Sequence, residues 1–183
     1  MRAELAGWQA TALADPALRP VRADALHITL CFLGAVAEGR VASIAEAVRS
    51  VPARPVAIAL DREPSPLPKG RPALYAVGAR SPAAVALQLE LAQALQALRV
   101  YKPEKRAFWP HLTVARVRSE RRPPERGQRR GKSRPRRVSE PPGPLAERLT
   151  EPFEAVRIAL YRSKTKPQGA EYVRLDGVDL PPA

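Results

Sequence analysis

The sequence predicts an α+β protein of two related lobes facing each other across a cleft. Three observations carry this. Apolar residues switch repeatedly between helical spacing and strand alternation along the 183 residues. A His-apolar-Thr-apolar pattern occurs twice, at His27-Ile28-Thr29-Leu30 and at His111-Leu112-Thr113-Val114. The two copies lie 84 positions apart in similar surroundings, which is the layout of a doubled unit.

Each element has its own signal. Leu5, Trp8 and Leu13 form a rough apolar stripe and predict a helix over 3–14, stopped by Pro16 and Pro20. Leu26 to Gly34 reads as a strand. Val41, Ile44, Ala45, Val48 and Val51 keep a helical spacing over 38–51, and Glu38 suits the positive N-terminal end. Val56 to Leu60 and Ala73 to Val77 read as strands around a loop, since Pro64, Pro66, Pro68 and Gly70 crowd residues 63–72. Ser81-Pro82 is a helix start, with serine as cap and proline at the first helical position. That helix carries Val85, Leu87, Leu91, Leu95 and Leu98 and runs to about Val100. His111 to Val117 is the second motif strand, and Phe153 to Tyr161 and Tyr172 to Leu175 close the chain.

Composition narrows the function. No apolar run approaches the ~20 residues that cross a bilayer, so no membrane association is expected. The N-terminus lacks the charged-then-apolar layout of a signal peptide, and the cytoplasm is the default compartment. Cys31 is the single cysteine, which rules out an internal disulfide, and its apolar neighbours predict a buried small hydrophobe. Lysine and arginine exceed aspartate and glutamate by 31 to 18, a net charge of +13 that favours a polyanionic partner, nucleic acid first. Much of that charge falls in a Pro-rich stretch, 119–144, that reads as a disordered basic loop. The whole of 1–183 otherwise reads as one domain. No motif indicates an obligate protein partner.

The twin motif carries the chemistry. The chain has only two histidines and five threonines, so a threonine two residues after both histidines has a chance on the order of one in a thousand. In a strand, residues i and i+2 share a face, so each histidine would stand beside its threonine while Ile28 and Leu30, or Leu112 and Val114, point into a core. In-line hydrolysis of a phosphodiester needs a base for water, an acid for the leaving oxygen, and donors for the non-bridging oxygens. Two histidines can take the first two roles near neutral pH. Thr29 and Thr113 can donate to phosphoryl oxygens, and Arg116 adds positive charge. Phe32 and Trp109 flank the motifs and are candidates to stack a terminal base. No third histidine, cysteine cluster or acidic cluster accompanies the motifs, so neither a metal nor another cofactor is called for. A 2′,3′-cyclic phosphate, strained and self-activated, is the best-suited substrate.

Three segments carry a family resemblance. They are Leu26-His27-Ile28-Thr29-Leu30-Cys31-Phe32-Leu33-Gly34, then Phe108-Trp109-Pro110-His111-Leu112-Thr113-Val114-Ala115-Arg116, then Leu160-Tyr161-Arg162-Ser163 with Gly169-Ala170-Glu171-Tyr172. In that order they resemble the 2H phosphoesterases, and among them the RNA 2′,3′-cyclic phosphodiesterases formerly described as 2′-5′ RNA ligases. The resemblance implies a bilobal pair of antiparallel sheets with helices outside and the cleft between them. It implies that His27 is the proton donor, that His111 is the proton acceptor, and that the threonines bind phosphate. The substrate would be RNA with a 2′,3′-cyclic end and the product a 2′-phosphomonoester. Two other functions stay open: a 2H enzyme for a small cyclic nucleotide or related cyclic phosphate, and a non-catalytic RNA-binding protein of the same fold. Family members usually begin with an apolar strand before the first helix. This chain starts at the helix, so the expectation is either that its true start lies earlier or that one sheet lacks that strand.

Overall fold

The computed structural model describes residues 1–121, 133–166 and 169–183. Among them are three α-helices, α1 (Arg2–Ala12), α2 (Val41–Ser50) and α3 (Pro82–Ala97), and nine strands. The strands are β1 (Leu18–Pro20), β2 (Ala57–Leu67), β3 (Leu74–Arg80), β4 (His111–Val117), β5 (Ser119–Arg121), β6 (Ser133–Pro135), β7 (Phe153–Glu154), β8 (Arg157–Lys166) and β9 (Gly169–Asp179). Five are ordered β1-β4-β3-β2-β7, and β5-β6 and β8-β9 form two-stranded antiparallel ladders. The mixed α and β content and the antiparallel sheets agree with the predicted class. No helix among the described residues is long and apolar enough to cross a membrane.

The chain divides into two compact units, each made of three segments. The first comprises Met1–His27, Asp61–Gly78 and Leu112–Thr150. Its core gathers Leu18, Leu26, Val77, Val114, Leu145 and Leu149, all buried. Helix α1 buries Leu5, Trp8 and Gln9, and the Trp8 indole donates to the Pro144 carbonyl at 2.9 Å. Arg118 donates its backbone N–H to the Ala17 carbonyl at 2.7 Å, extending the β1–β4 ladder by one step.

The second unit comprises Ile28–Leu60, Ala79–His111 and Glu151–Ala183. Helix α2 turns Ile44, Ala45, Ala47 and Val48 inward and packs on α3 and on the β8–β9 hairpin. The Arg49 guanidinium pairs with the Asp176 carboxylate across that contact. A side chain at Gly177 would meet the Ile158 carbonyl oxygen at 2.6 Å, so only glycine lets the two hairpin strands approach there. Helix α3 begins as its sequence predicts, with the Ser81 hydroxyl accepting the Ala84 N–H at 3.1 Å.

Four expectations are corrected. Leu26–Gly34 is not a regular strand: a 3-10 turn covers Ala23–Ala25, Ile28 makes an isolated bridge, and the rest is irregular. Strand structure depends on a paired neighbour as well as on residue type, and none of the ladders among the described residues includes this segment. Ile28 and Leu30 are accordingly half-buried rather than in a core.

The proline-rich 63–72 is not all loop, because β2 runs on to Leu67. The Val56 and Arg62 carbonyls both accept from the β7 side, from Ala155 and Leu145, so even-numbered residues of β2 face that way. Pro64 and Pro66 therefore lack their N–H on the side where β7, paired only at Ala57 and Ile58, does not reach.

Part of the expected disordered loop is ordered. Ser119–Arg121 pairs with Ser133–Pro135, and Asp15 receives the N–H groups of Ser139 and Glu140. The remainder of that expectation, 122–132, lies outside the described residues. Finally, Cys31 is half-buried rather than buried.

Candidate active site

Both motif histidines are held in the same way. His27 follows the Ala23–Ala25 turn, and its Nδ1 lies 2.7 Å from the Ala25 carbonyl oxygen. His111 opens β4, and its Nδ1 lies 2.9 Å from the Trp109 carbonyl oxygen. In each case the partner sits two residues earlier. A carbonyl oxygen only accepts, so Nδ1 must carry the hydrogen in both rings. Nε2 is then the nitrogen left for proton chemistry, as an acceptor when the ring is neutral and a donor when it is charged. Two equivalent imidazoles with the same reactive nitrogen can serve as an acid and a base.

The second motif has the predicted alternation. Leu112 and Val114 are buried, while His111 and Thr113 are only partly so. Val114 and Ala115 are both buried, and the outward parity shifts by one, bringing Arg116 to the surface. In the first motif Leu26 is the buried anchor and Thr29 is exposed. Gly34, at φ +68°, ends the segment in a conformation that suits glycine. Phe32 is 78% exposed and Trp109 39%. Phe32 thus stands clear of any core, whereas the Trp109 ring stacks on His111, with centroids 4.6 Å apart and planes at 17°.

The candidate residues divide between the units. His27, Thr113 and Arg116 belong to the first; Thr29, Phe32, Trp109 and His111 belong to the second. The histidines are the last residues of their segments in each unit. Among the described residues no cluster of three or more His, Cys, Asp or Glu side chains is arranged to hold a metal ion.

Residues 1–63 match the family model of LigT-like phosphoesterases, a stretch that includes the first motif. TT0787 of Thermus thermophilus superposes with a TM-score of 0.72 at 26% identity, covering 98% of this chain and 91% of that one. E. coli LigT in its apo form superposes with a TM-score of 0.70 at 23% identity, over 98% and 90%. The fold is LigT-like. A second structure of E. coli LigT, complexed with 3′-AMP, matches at 22% identity with a TM-score of 0.69 over 98% and 89%. No curated protein matches the sequence at a significant level.

Two residues placed beside the motifs of this LigT-like fold had no sequence signal strong enough to single them out. Gln9, 4% exposed, donates its side-chain amide to the Val21 carbonyl at 3.0 Å and to the Val114 carbonyl at 2.7 Å. It ties the segment leading to His27 to the second motif strand. Arg19 stands directly opposite Arg116 in the β1–β4 register. The alternating burial of Leu18 and Arg19 could have marked Arg19 as outward; nothing local marks a glutamine on a helix as a backbone clasp.

Proposed function

We propose that the chain is a 2H phosphoesterase that hydrolyses RNA 2′,3′-cyclic phosphodiester ends to 2′-phosphomonoesters. The observation that carries this reading is the matched pair of imidazoles, each with its Nδ1 held by the backbone carbonyl two residues earlier. The partial family-model match and the LigT-like fold support it. So do the 3′-AMP and phosphate complexes of E. coli LigT, a protein of the same fold.

On this reading the neutral His111 accepts a proton from water through Nε2. The water oxygen forms a bond to phosphorus as the bond to the 3′ oxygen breaks. The protonated His27 delivers its Nε2 proton to that leaving oxygen. The 2′ ester bond stays intact, so the product is a 2′-phosphate. Proton exchange with solvent restores both rings. Thr29 and Thr113 hydroxyls and the Arg116 guanidinium offset the charge that builds on the non-bridging oxygens. Phe32 offers an exposed ring for a terminal base. The high positive charge favours an RNA substrate over a small cyclic nucleotide, and a cytoplasmic site of action accompanies that substrate.

The test is an oligoribonucleotide ending in a 2′,3′-cyclic phosphate, incubated with the protein and excess chelator. The expected result is conversion to the 2′-phosphate, lost in His27→Ala and in His111→Ala, with a bell-shaped rate between pH 5 and 9 (about the histidine range). Absence of turnover throughout that range, or turnover only with added metal, overturns the reading. Binding without turnover would favour a non-catalytic RNA-binding protein instead.

A further inference from the structure

Helix α3 ends on an unusual residue. The Arg99 N–H donates to the Gln96 carbonyl at 2.8 Å and the Val100 N–H to the Leu95 carbonyl at 3.1 Å, the paired closure of a Schellman turn. The left-handed position of that turn is held by Arg99, at φ +57°. Glycine is the common choice there, because a Cβ makes the conformation costly. Among the described residues Arg99 is the one non-glycine residue at positive φ. A side chain kept in a costly conformation points to a use for that side chain. Positive charge at the helix end is not that use, since Arg40 already donates to the Leu98 carbonyl.

Arg99 lines an open hollow of about 680 Å³ within the second unit, together with Phe32, Gln96, Tyr101 and Lys102. Among the described residues no carboxylate lines it, and neither Arg99 nor Lys102 pairs with an acid. Glu104, two residues after Lys102, is taken by Arg106 at 2.6 Å. The Phe32 ring is exposed, and Tyr101 is half-buried with its hydroxyl hydrogen-bonded to the Cys31 thiol. The chain itself tethers this hollow to the first motif. Phe32 comes five residues after His27 and three after Thr29, and Thr29 belongs to the same unit. Three residues of chain keep the Cα atoms of Thr29 and Phe32 within ~11 Å of each other. Aromatic rings accept the face of a base, and guanidinium and ammonium groups accept phosphate. A hollow of this size admits a nucleotide. When the 2′ and 3′ oxygens share the cyclic phosphate, the other anion on that nucleotide is its 5′ phosphate.

We propose that this hollow is a subsite for the 5′ phosphate of the terminal nucleotide, held by Arg99 and Lys102, with the base against Phe32 and Tyr101. This rests on the phosphodiesterase reading for the identity of the substrate. It adds a determinant of specificity. In RNA that 5′ phosphate is the link to the preceding nucleotide, and a nucleoside 2′,3′-cyclic phosphate lacks it. The subsite therefore selects an RNA end over a cyclic mononucleoside phosphate. It touches no reacting atom, so it sets KM and leaves kcat alone.

The experiment compares adenosine 2′,3′-cyclic phosphate with the same nucleotide carrying a 5′ phosphate. Wild type should show a KM about tenfold lower for the 5′-phosphorylated form at low salt, with kcat alike for the two. In Arg99→Gly/Lys102→Ala that ratio of KM values should fall to near one. Arg99→Lys should keep most of it. Glycine suits φ +57°, so Arg99→Gly should melt at or above the wild-type temperature, which separates its effect on KM from a folding defect. Equal KM values for the two substrates in wild type, or a ratio that survives in the double variant, overturn the proposal. If wild type turns over neither substrate, the phosphodiesterase reading fails by itself. Calorimetric titration with the 5′-phosphorylated cyclic nucleotide and its unphosphorylated counterpart then decides the subsite. Tighter binding of the former, lost in the double variant, supports it, and equal binding overturns it.

Discussion

The Trp109 indole lies nearly parallel on the His111 imidazole, 4.6 Å between centroids, while the Trp109 carbonyl oxygen holds the Nδ1 of that same ring. One residue thus fixes both the plane and the tautomer of the histidine two positions later. A stacked aromatic pair contributes ~0.5–1.5 kcal/mol, and an aromatic face adds attraction when the imidazole is charged. Trp109→Ala keeps the carbonyl and loses the stack. We expect kcat for cyclic phosphate hydrolysis to fall about 3- to 10-fold, with the melting temperature little changed because the indole is well exposed. Trp109→Phe should retain most of the activity. Steady-state kinetics with a thermal melt makes the comparison, and an unaltered kcat in the alanine variant would show that the stack does not position His111.

Gln9 is a clasp made of two hydrogen bonds from one buried amide to two backbone carbonyls. Val114 also receives the Val21 N–H at 3.0 Å, so the glutamine reinforces a junction the backbone already makes. Gln9→Leu keeps comparable bulk and leaves the part-buried Val21 carbonyl without its donor. Such a loss costs ~1–3 kcal/mol, which for a chain of this size lowers the melting temperature by about 2–12 °C. Differential scanning calorimetry measures it. A variant that melts with wild type would mean the clasp carries no net stability.

The residues explain how far the sequence could be read. The start of α3 was legible because its signal is local: Ser81 caps and Pro82 occupies the first turn. The second motif strand was legible because Leu112 and Val114 alternate with His111 and Thr113 inside a ladder. The first motif carries the same residue types and yet is irregular, since pairing is decided by distant segments. Pro64 and Pro66 misled for the same reason, because their cost depends on which edge of β2 is paired. For the candidate site, the histidines were legible from composition and repetition. Their shared Nδ1 contacts, the opposition of Arg19 to Arg116 and the Gln9 clasp were not, as each depends on backbone geometry or long-range register.

Cys31 sits half-buried with the Gln88 side-chain amide 3.9 Å from its sulfur. Burial pushes its thiol above the ordinary value of 9.0, a push that hydrogen bonds from Gln88 and Tyr101 only partly oppose. The thiolate is the reactive form, so alkylation should be slow at neutral pH. With iodoacetamide we expect the folded protein to react several-fold more slowly than a cysteine peptide at pH 8. Its rate should still be rising above about pH 10, where the peptide levels off. A plateau below pH 9 would contradict this assignment.

Asp15 should make the stability of the first unit depend on pH. Its Oδ1 accepts the Ala17 N–H at 2.7 Å, and its Oδ2 accepts the N–H groups of Ser139 at 2.7 Å and Glu140 at 3.0 Å. These donors, Glu140 foremost, hold the carboxyl below its ordinary value of 3.8 against the opposing effect of burial. A depressed carboxylate stabilises the fold at pH values above the unfolded value. That stability is lost as pH falls through the lower folded value, because the native state must then take up a proton that removes its acceptors. Asp15→Asn keeps the shape but removes the charge, and one of its two side-chain atoms can no longer accept. The variant should melt lower than wild type at pH 7, and the gap should narrow steadily as the pH is taken from about 5 to below 3. Thermal melts across that range give the result. A gap that stays constant with pH would mean that the charge on Asp15 contributes nothing and that the segment around Ser139 is held by shape alone.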